Sequence, residues 1–179
     1  TMRNGKPRMP TLERYSDPGN TRAFLQFVND ELNGTLDWQY IDALRKEWDG
    51  PLILKGVLHP AEALEALEHG ADGILVSNHG GRQLDAAPSS ITALPTIAAA
   101  IDGRAPALLD SGVRSGLDIA RAIALGADFV LCGRAFMYGT AALGEQGGDH
   151  VFELLRDDLK SNMSNLGCKT LAELRDRVD

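Results

Sequence analysis

The chain has little of three things that mark other classes of protein. It contains two cysteines among 179 residues, Cys132 and Cys168. Two are too few for the disulfide framework of a small secreted domain, which favours a reducing compartment. Its apolar runs are all shorter than the roughly 18–20 residues that a membrane-spanning helix needs. Basic residues number 18 against 25 acidic ones. This balance argues against nucleic acid as a partner, and against an anionic membrane as a partner of the whole surface.

The chain also begins without a recognisable targeting segment. Residues 1–6 are polar and lack the apolar stretch of a signal peptide, so we expect a cytoplasmic location. The segment up to Asn20 is polar and holds Pro7, Pro10 and Pro18. We therefore predict a loop or linker over residues 1–35 and one domain over residues 36–179. Cys132 falls in an apolar run and is expected to be a small core residue.

Short apolar runs alternate with helical patterns from residue 36 onward. We predict strands at 51–56, 73–77, 107–110 and 129–133, and helices at 37–48, 60–69, 90–101, 116–125, from about 135, and at 149–165. Pro95 is expected to break or kink the third of these helices. Short, wholly apolar strands separated by helices indicate a parallel sheet covered by helices. Residues 70–77 resemble residues 126–133, which suggests repeated βα units, as in a (β/α)8 TIM barrel.

A closed TIM barrel has eight βα units, and this pattern supplies four of them. The chain is therefore expected to form about half of a barrel, and its open sheet edges suggest a fragment of a longer protein or a nicked one. The alternative is a doubly wound open sheet, which could be complete at this length. That fold favours a glycine-rich turn after its first strand, and the sequence after Lys55 matches this poorly.

Polar or charged residues follow each predicted strand. In a TIM barrel these positions form one functional site at the carboxyl ends of the strands. Lys55 ends the first strand and either reaches the surface or meets an anionic ligand. Asp110 ends the third and either binds hydroxyl groups or caps the next turn. Gly112 and Arg114, and then Gly133 and Arg134, stand before helices, a pattern that favours a phosphate group on the cofactor or substrate.

The segment Ser77-Asn78-His79-Gly80-Gly81-Arg82-Gln83-Leu84-Asp85 carries the strongest chemical signal. A histidine can accept a proton near neutral pH. An arginine three residues later can hold a carboxylate through paired hydrogen bonds. Gly80 and Gly81 allow a sharp bend and a close approach of a ligand. A lone histidine or arginine on a loop is usually only a surface residue, and it is the surrounding pattern that favours catalysis here. His59 and His69 are expected to be structural.

These residues resemble the FMN-dependent 2-hydroxy acid dehydrogenases and oxidases. The resemblance covers about residues 36–174 and rests on Leu54-Lys55-Gly56-Val57, the segment from Ser77 to Asp85, residues 110–118, and residues 125–134. The sequence around Trp48 and Asp110 is most similar to respiratory L-lactate dehydrogenases, with mandelate dehydrogenases next. The resemblance implies an α/β fold, a TIM barrel of which this chain supplies roughly strands 5–8 and the C-terminal helices. Residues 1–35 would then be the loop after strand 4.

The resemblance also implies a role for each matching residue. FMN would be the cofactor, and an L-2-hydroxy acid, with L-lactate the first choice, would be oxidised to the 2-keto acid. His79 would be the base, and Arg82 would hold the substrate carboxylate. Lys55 would lie beside the flavin, and Ser77 would bond to it. The ribityl chain and phosphate would contact the remaining residues, which are Asp110, Ser111, Gly112, Val113, Arg114, Gly133 and Arg134. No metal is implied.

The expected partners follow from the same resemblance. They are a small 2-hydroxy acid, the missing N-terminal half of the barrel, and an electron acceptor that is oxygen, a quinone or a cytochrome. A homotetramer is expected, and peripheral attachment to the inner face of a bacterial membrane stays open because the loop after strand 4 attaches some members. The alternatives are another flavin- or phosphate-binding TIM-barrel enzyme and an inactive half-barrel.

Overall fold

The computed structural model describes residues 10–15, 20–31 and 36–177. The chain forms two compact units, residues 1–40 and residues 41–179. In the first unit, helix α1 spans Thr21–Glu31 and follows a short 3-10 turn at Leu12–Arg14. The Asn20 side chain accepts a hydrogen bond from the Ala23 N–H and so caps α1. The region predicted as a linker thus contains a helix, and the predictions for residues 1–9, 16–19 and 32–35 lie outside the described residues.

The second unit contains a parallel sheet whose four strands are spatial neighbours in chain order. The strands are β1 (Ile53–Val57), β2 (Gly73–Val76), β3 (Ala107–Leu109) and β4 (Phe129–Val130). The helices are α2 (Trp38–Glu47), which begins in the first unit, α3 (Pro60–Glu68), α4 (Ser90–Ile101), α5 (Gly116–Ala124), α6 (Arg134–Leu143) and α7 (Gly147–Asn165). The predicted order of strands and helices is confirmed, and α7 starts two residues before the predicted position.

The strand order decides between the two folds that the sequence allowed. Each crossover in such a sheet is right-handed, so strands added always on the same side place every crossover helix on the same face. A doubly wound sheet reverses direction and places helices on both faces. The order β1-β2-β3-β4 has no reversal. This sheet is therefore built as a segment of a barrel wall.

The two faces of the sheet differ in burial. Residues paired across the sheet point to the same side, and Ile74 and Val76 of β2 and Leu109 of β3 are at most 1% exposed beneath the helices. On the opposite face, Lys55 pairs with Leu75, which pairs with Leu108 and then Phe129. Phe129 is 62% exposed. The core thus lies between sheet and helices.

Three local predictions have specific outcomes. Pro95 lies inside α4, which runs unbroken from Ser90 to Ile101; the proline is exposed, and Leu94 and Ile97 beside it are fully buried. His59 is structural, as expected, since its Nδ1 accepts the Ala61 N–H at the start of α3. Cys132 is only half-buried, so it is not a full core residue, and burial raises the pKa of its thiol.

Candidate active site

An open cavity of about 690 Å³ lies at the carboxyl ends of the four strands. Every residue predicted for the site except Ser77 lines it. Those residues are Lys55, His79, Arg82, Asp110, Ser111, Gly112, Val113, Arg114, Gly133 and Arg134. Ser77 is fully buried beside the cavity. The structure therefore brings together groups that lie up to about 80 residues apart in sequence, because parallel strands end at the same edge.

An ion pair joins the ends of β1 and β3. Lys55 Nζ lies 2.8 Å from Asp110 Oδ2 and donates a second hydrogen bond to Ser77 Oγ at 2.7 Å. Lys55 is therefore directed into the open cavity, where 44% of its side chain remains exposed. Burial by itself raises the pKa of Asp110, but the hydrogen bonds from Lys55, Ser77 and Ser111 outweigh it and lower that pKa overall. The aspartate is accordingly ionised near neutral pH.

The segment that carries His79 has an unusual backbone. His79, Gly80 and Gly81 have φ of 55°, 69° and 73°, in the left-handed region that glycine tolerates and other residues rarely adopt. The hydroxyl of Ser77 accepts the His79 N–H at 3.1 Å. The Ser90 hydroxyl, at the start of α4, accepts the Asn78 N–H at 3.0 Å. These bonds hold the turn in place, so the exposed imidazole projects from a fixed backbone.

Gly56 provides the surface against which the imidazole packs. A Cβ at Gly56 would lie 2.7 Å from His79 Cε1, and the φ of Gly56 is +100°. The pairing of β1 with β2 is irregular between Lys55 and Val57, on either side of this glycine. Sequence reasoning missed this role, although a glycine inside a strand pattern is a known signal of a bulge or a close approach.

The two arginines expected at a phosphate are placed differently. Arg134 begins α6, and its Nη2 donates to the Gly80 carbonyl at 3.0 Å. Arg114 is exposed, and its Nη1 donates to the neighbouring Val113 carbonyl at 2.8 Å. A Cβ built at Gly112 or Gly133 meets no atom within 4 Å. The backbone at both glycines is therefore accessible to a ligand, beside two guanidinium groups.

Other cavity residues were not foreseen as part of the site. Met137 and Tyr138 of α6 and Leu131 after β4 are exposed and line the same cavity. Met137 and Tyr138 could have been proposed only from the register of α6, which the sequence pattern does not fix.

Within the described residues we find neither a metal-binding cluster nor a helix that could span a membrane. Across the described ranges, no cluster of three or more histidine, cysteine, aspartate or glutamate side chains is arranged to hold a metal ion. Among the residues that the structure describes, no helix has both the length and the hydropathy that crossing a membrane requires.

Comparison with known proteins identifies the family. A family model described as FMN-dependent dehydrogenase matches residues 2–178. An L-lactate dehydrogenase of Serratia proteamaculans is 45% identical over 172 residues, which cover 95% of this chain and 45% of that protein. The corresponding protein of Chromohalobacter salexigens is 45% identical over 157 residues, which cover 88% of this chain and 40% of that one. The chain thus spans less than half the length of these curated relatives.

Solved structures agree with this result. A crystal structure of mandelate oxidase with benzoyl-formic acid superposes with a TM-score of 0.77 at 42% identity, over 79% of this chain and 42% of that one. Another, with (S)-4-hydroxymandelic acid, gives the same TM-score and identity. The fold is therefore α/β, and its βα units form part of a TIM barrel. The chain belongs to the FMN-dependent dehydrogenase family, whose members include 2-hydroxy acid dehydrogenases and oxidases.

Proposed function

We propose that this protein takes part in the FMN-dependent oxidation of an L-2-hydroxy acid, with L-lactate as the preferred substrate, to the 2-keto acid. The observation that carries the proposal is the convergence of His79, Arg82, Lys55 and Arg134 on one cavity. It supports the proposal because an imidazole, a guanidinium and two further cationic groups face the same cavity of about 690 Å³. The L-lactate dehydrogenases at 43–45% identity support the choice of substrate.

The residues present fit FMN. Two accessible glycine backbones, at Gly112 and Gly133, lie beside Arg114 and Arg134 and suit a phosphate group. Asp110 offers carboxylate oxygens to hydroxyl groups, and Lys55 offers a positive charge on the same side of the cavity. When bound, FMN supplies the capacity to accept two electrons. Substrate binding, orientation and proton transfer belong to the side chains of this chain.

His79 is proposed as the base. Whatever the order of bond breaking, oxidation of a hydroxyl-bearing carbon to a ketone requires one proton to leave to an acceptor, and a neutral imidazole provides one. The left-handed backbone from His79 to Gly81 and the contact with Gly56 fix where the imidazole stands. This preorganisation reduces the entropy lost when substrate and base meet.

Arg82 is proposed to bind the substrate carboxylate. It is exposed, lines the cavity with His79 and stands three residues further along the same turn. A guanidinium can donate two parallel hydrogen bonds to a carboxylate and so orient the substrate. This would direct the hydroxyl-bearing carbon towards the imidazole.

The uncovered face of the sheet is proposed to become the interior of the barrel when the remaining strands pair with the edge strands β1 and β4. Ile53, Phe129 and Leu131 lie on this face and are 47%, 62% and 37% exposed. They are apolar, and Leu131 lines the cavity, so covering them would exclude water as well as stabilise the sheet. The complementary half of the barrel is the proposed partner. Without it, the chain is expected to be inactive or to associate through this face.

Visible spectroscopy tests the proposal. The purified protein is titrated with FMN, and the FMN-loaded sample then receives L-lactate without oxygen. Binding followed by loss of the oxidised-flavin absorbance supports the proposal. Binding without bleaching by lactate, mandelate or glycolate, both in the chain alone and in a sample co-expressed with the N-terminal half-barrel of a relative, contradicts the proposed substrates. Failure to bind FMN, alone and after co-expression with an N-terminal half-barrel of a relative, contradicts the whole proposal.

The electron acceptor, assembly state and location remain predictions. The homotetramer is checked by light scattering. Oxygen, a quinone analogue and a cytochrome are compared as acceptors in the same lactate assay. Cell fractionation distinguishes the cytoplasmic location from attachment to the inner face of a membrane.

A further inference from the structure

Gly80, the residue that follows His79, is held at its N–H and at its carbonyl from two neighbouring strand ends. The Gly80 N–H donates to Ser111 Oγ, after β3, at 3.0 Å. The Gly80 carbonyl accepts from Arg134 Nη2, after β4, at 3.0 Å. The only local contribution among these bonds is from Asn78, whose Oδ1 also accepts the Gly80 N–H at 3.0 Å. The imidazole therefore stands on backbone that is fixed by residues 31 and 54 positions away in sequence.

The Ser111 hydroxyl can only accept the hydrogen bond that it shares with the Gly80 N–H. It lies 2.7 Å from Asp110 Oδ1 and acts as donor there, because an ionised carboxylate only accepts hydrogen bonds. Its single proton is thus engaged, and its lone pairs are left to accept the Gly80 N–H. Asp110 in turn is paired with Lys55 through its other oxygen. A continuous chain of bonds runs from Lys55 through Asp110 and Ser111 to Gly80.

The backbone of Ser111 indicates that the hydroxyl serves a purpose. Its φ is +76°, in the left-handed region, and the next residue, Gly112, has φ of +84°. A glycine would adopt this conformation with less strain. Strain of this kind persists where surrounding contacts hold it and where it serves a site. The contacts of Ser111 that require a side chain are those to Asp110 and Gly80.

We propose that Ser111 is a positioning residue for His79, whose hydroxyl links the Lys55–Asp110 pair to the Gly80 amide and so fixes the segment that bears the base. This assignment rests on the proposed function. It goes beyond the cofactor contact that the family resemblance implies for residues 110–114. It also makes the cofactor side and the base side of the cavity a single bonded unit.

Amide hydrogen exchange in the FMN-free protein, followed by NMR, tests the assignment without depending on turnover. In S111G the hydroxyl is lost and the backbone strain is relieved, and in S111A the hydroxyl alone is lost. In both variants we expect the Gly80 amide to exchange about five- to tenfold faster, which corresponds to the loss of one net hydrogen bond. The remaining bond from this amide to the Asn78 side chain should keep it partly protected. The amides of Ile74 and Val76 should keep their rates. The imidazole resonances of His79 should shift or broaden in both.

Two control variants separate the hydroxyl from general effects. D102G relieves a left-handed residue, φ +49°, at the end of α4, away from the site. S164A removes a hydroxyl that bonds only within α7. Neither is expected to alter exchange at Gly80. Unchanged exchange at Gly80 in S111G and S111A overturns the proposal. An equal acceleration of Gly80, Ile74 and Val76 also overturns it, because it indicates loss of the whole fold.

The cofactor role of Ser111 gives a different result. If S111G weakens FMN binding tenfold while Gly80 exchange is unchanged, Ser111 contacts the cofactor and does not position the base. If the unmodified protein fails to bind FMN or to oxidise L-lactate, the proposed function fails while the exchange result still decides what Ser111 holds. In a lactate-oxidising sample, S111G should lower kcat about three- to tenfold and leave KM for lactate within about twofold.

Discussion

At the amino ends of the strands, Asp72 and Asp128 bind the backbone of the preceding strand, whereas at the carboxyl ends Asp110 binds side chains. The Asp72 carboxylate accepts the Leu52 N–H at 2.8 Å, and the Asp72 N–H donates to the Leu52 carbonyl at 2.7 Å. Asp128 makes the same two bonds to Ala107, at 2.8 Å and 2.7 Å. Asp110 instead meets Lys55 and Ser111, both of which line the cavity.

The arginine partners extend this contrast. Arg45 binds Asp72 at 2.9 Å, and Arg175 binds Asp128 at 2.6 Å. The segments 70–77 and 126–133 are therefore similar in structure as well as in sequence. In each of them the aspartate bonds its strand to the preceding strand of the sheet. A carboxylate that satisfies backbone groups contributes to stability, while one that faces a cavity is available to a ligand. In TIM barrels generally, the carboxyl ends of the strands carry the active site and the amino ends contribute to stability.

Among the substitutions that test the contrast between the two ends of the strands, those at His79 should have the largest effect. In the FMN-loaded, lactate-oxidising protein, H79N should lower kcat by about 10²–10⁴-fold, the usual contribution of a general base. Its side chain is exposed, so the urea midpoint of unfolding should not change. Stopped-flow absorbance measures the rate of flavin reduction. H150N, at an exposed histidine of α7, is the matched control, and equal activity losses in the two variants would refute the assignment of His79.

The next effect is expected at Gly56, where a new Cβ would overlap the His79 ring. G56A should shift the imidazole resonances and lower kcat by at least about tenfold, because a misplaced base loses preorganisation. It should also cost about 1–3 kcal/mol of unfolding free energy from backbone strain at φ +100°. G103A shares the positive φ, +70°, but has open space around it. If G103A altered the His79 resonances as much as G56A does, contact between a Cβ at Gly56 and the imidazole would not explain the effect of G56A.

A smaller, purely structural effect is expected at Asp128. D128A removes the acceptor of the Ala107 N–H and the partner of Arg175, and should lower the free energy of unfolding by about 1–3 kcal/mol. The affinity for FMN should stay within about twofold, because Asp128 lies at the end of the strands opposite the cavity. Urea unfolding and flavin fluorescence titration measure the two quantities. A loss of FMN affinity without loss of stability would remove the distinction between the two ends.

The order of the helices and strands and the residues that line the cavity could be predicted from the sequence, whereas the bonds between those residues could not. Apolar runs and the polar residues after them locate strand ends, so Lys55, His79, Asp110 and Arg134 could be expected in one place. The helix α1 was missed because prolines earlier in the segment suggested a loop throughout. The Lys55–Asp110 pair and the bond from Gly80 to Ser111 depend on which strands are adjacent and in what register. That information is held by the packing of the sheet and not by local sequence.

The smallest expected effect is on the pH dependence of unfolding. It distinguishes the aspartates at the amino ends of the strands from the one at the carboxyl ends. The pKa of Asp72 is lowered by the Leu52 N–H and by Arg45, and that of Asp110 is lowered because three side-chain hydrogen bonds outweigh burial. A lowered carboxyl pKa adds stability that is present above the unfolded value of about 3.9 and is lost as the pH falls through the folded value.

Removing either carboxylate should therefore reduce the dependence of unfolding on pH below about 4. D72N and D110N are compared with the unmodified protein by urea unfolding from neutral pH to about pH 2.5. Both should show a flatter acid limb, and D110N alone should also weaken FMN binding, because it releases Lys55 from its partner. If D72N weakened FMN binding as much as D110N, the carboxylates at the two ends would be energetically equivalent, and the contrast between a structural end and a ligand-binding end would not hold for this sheet.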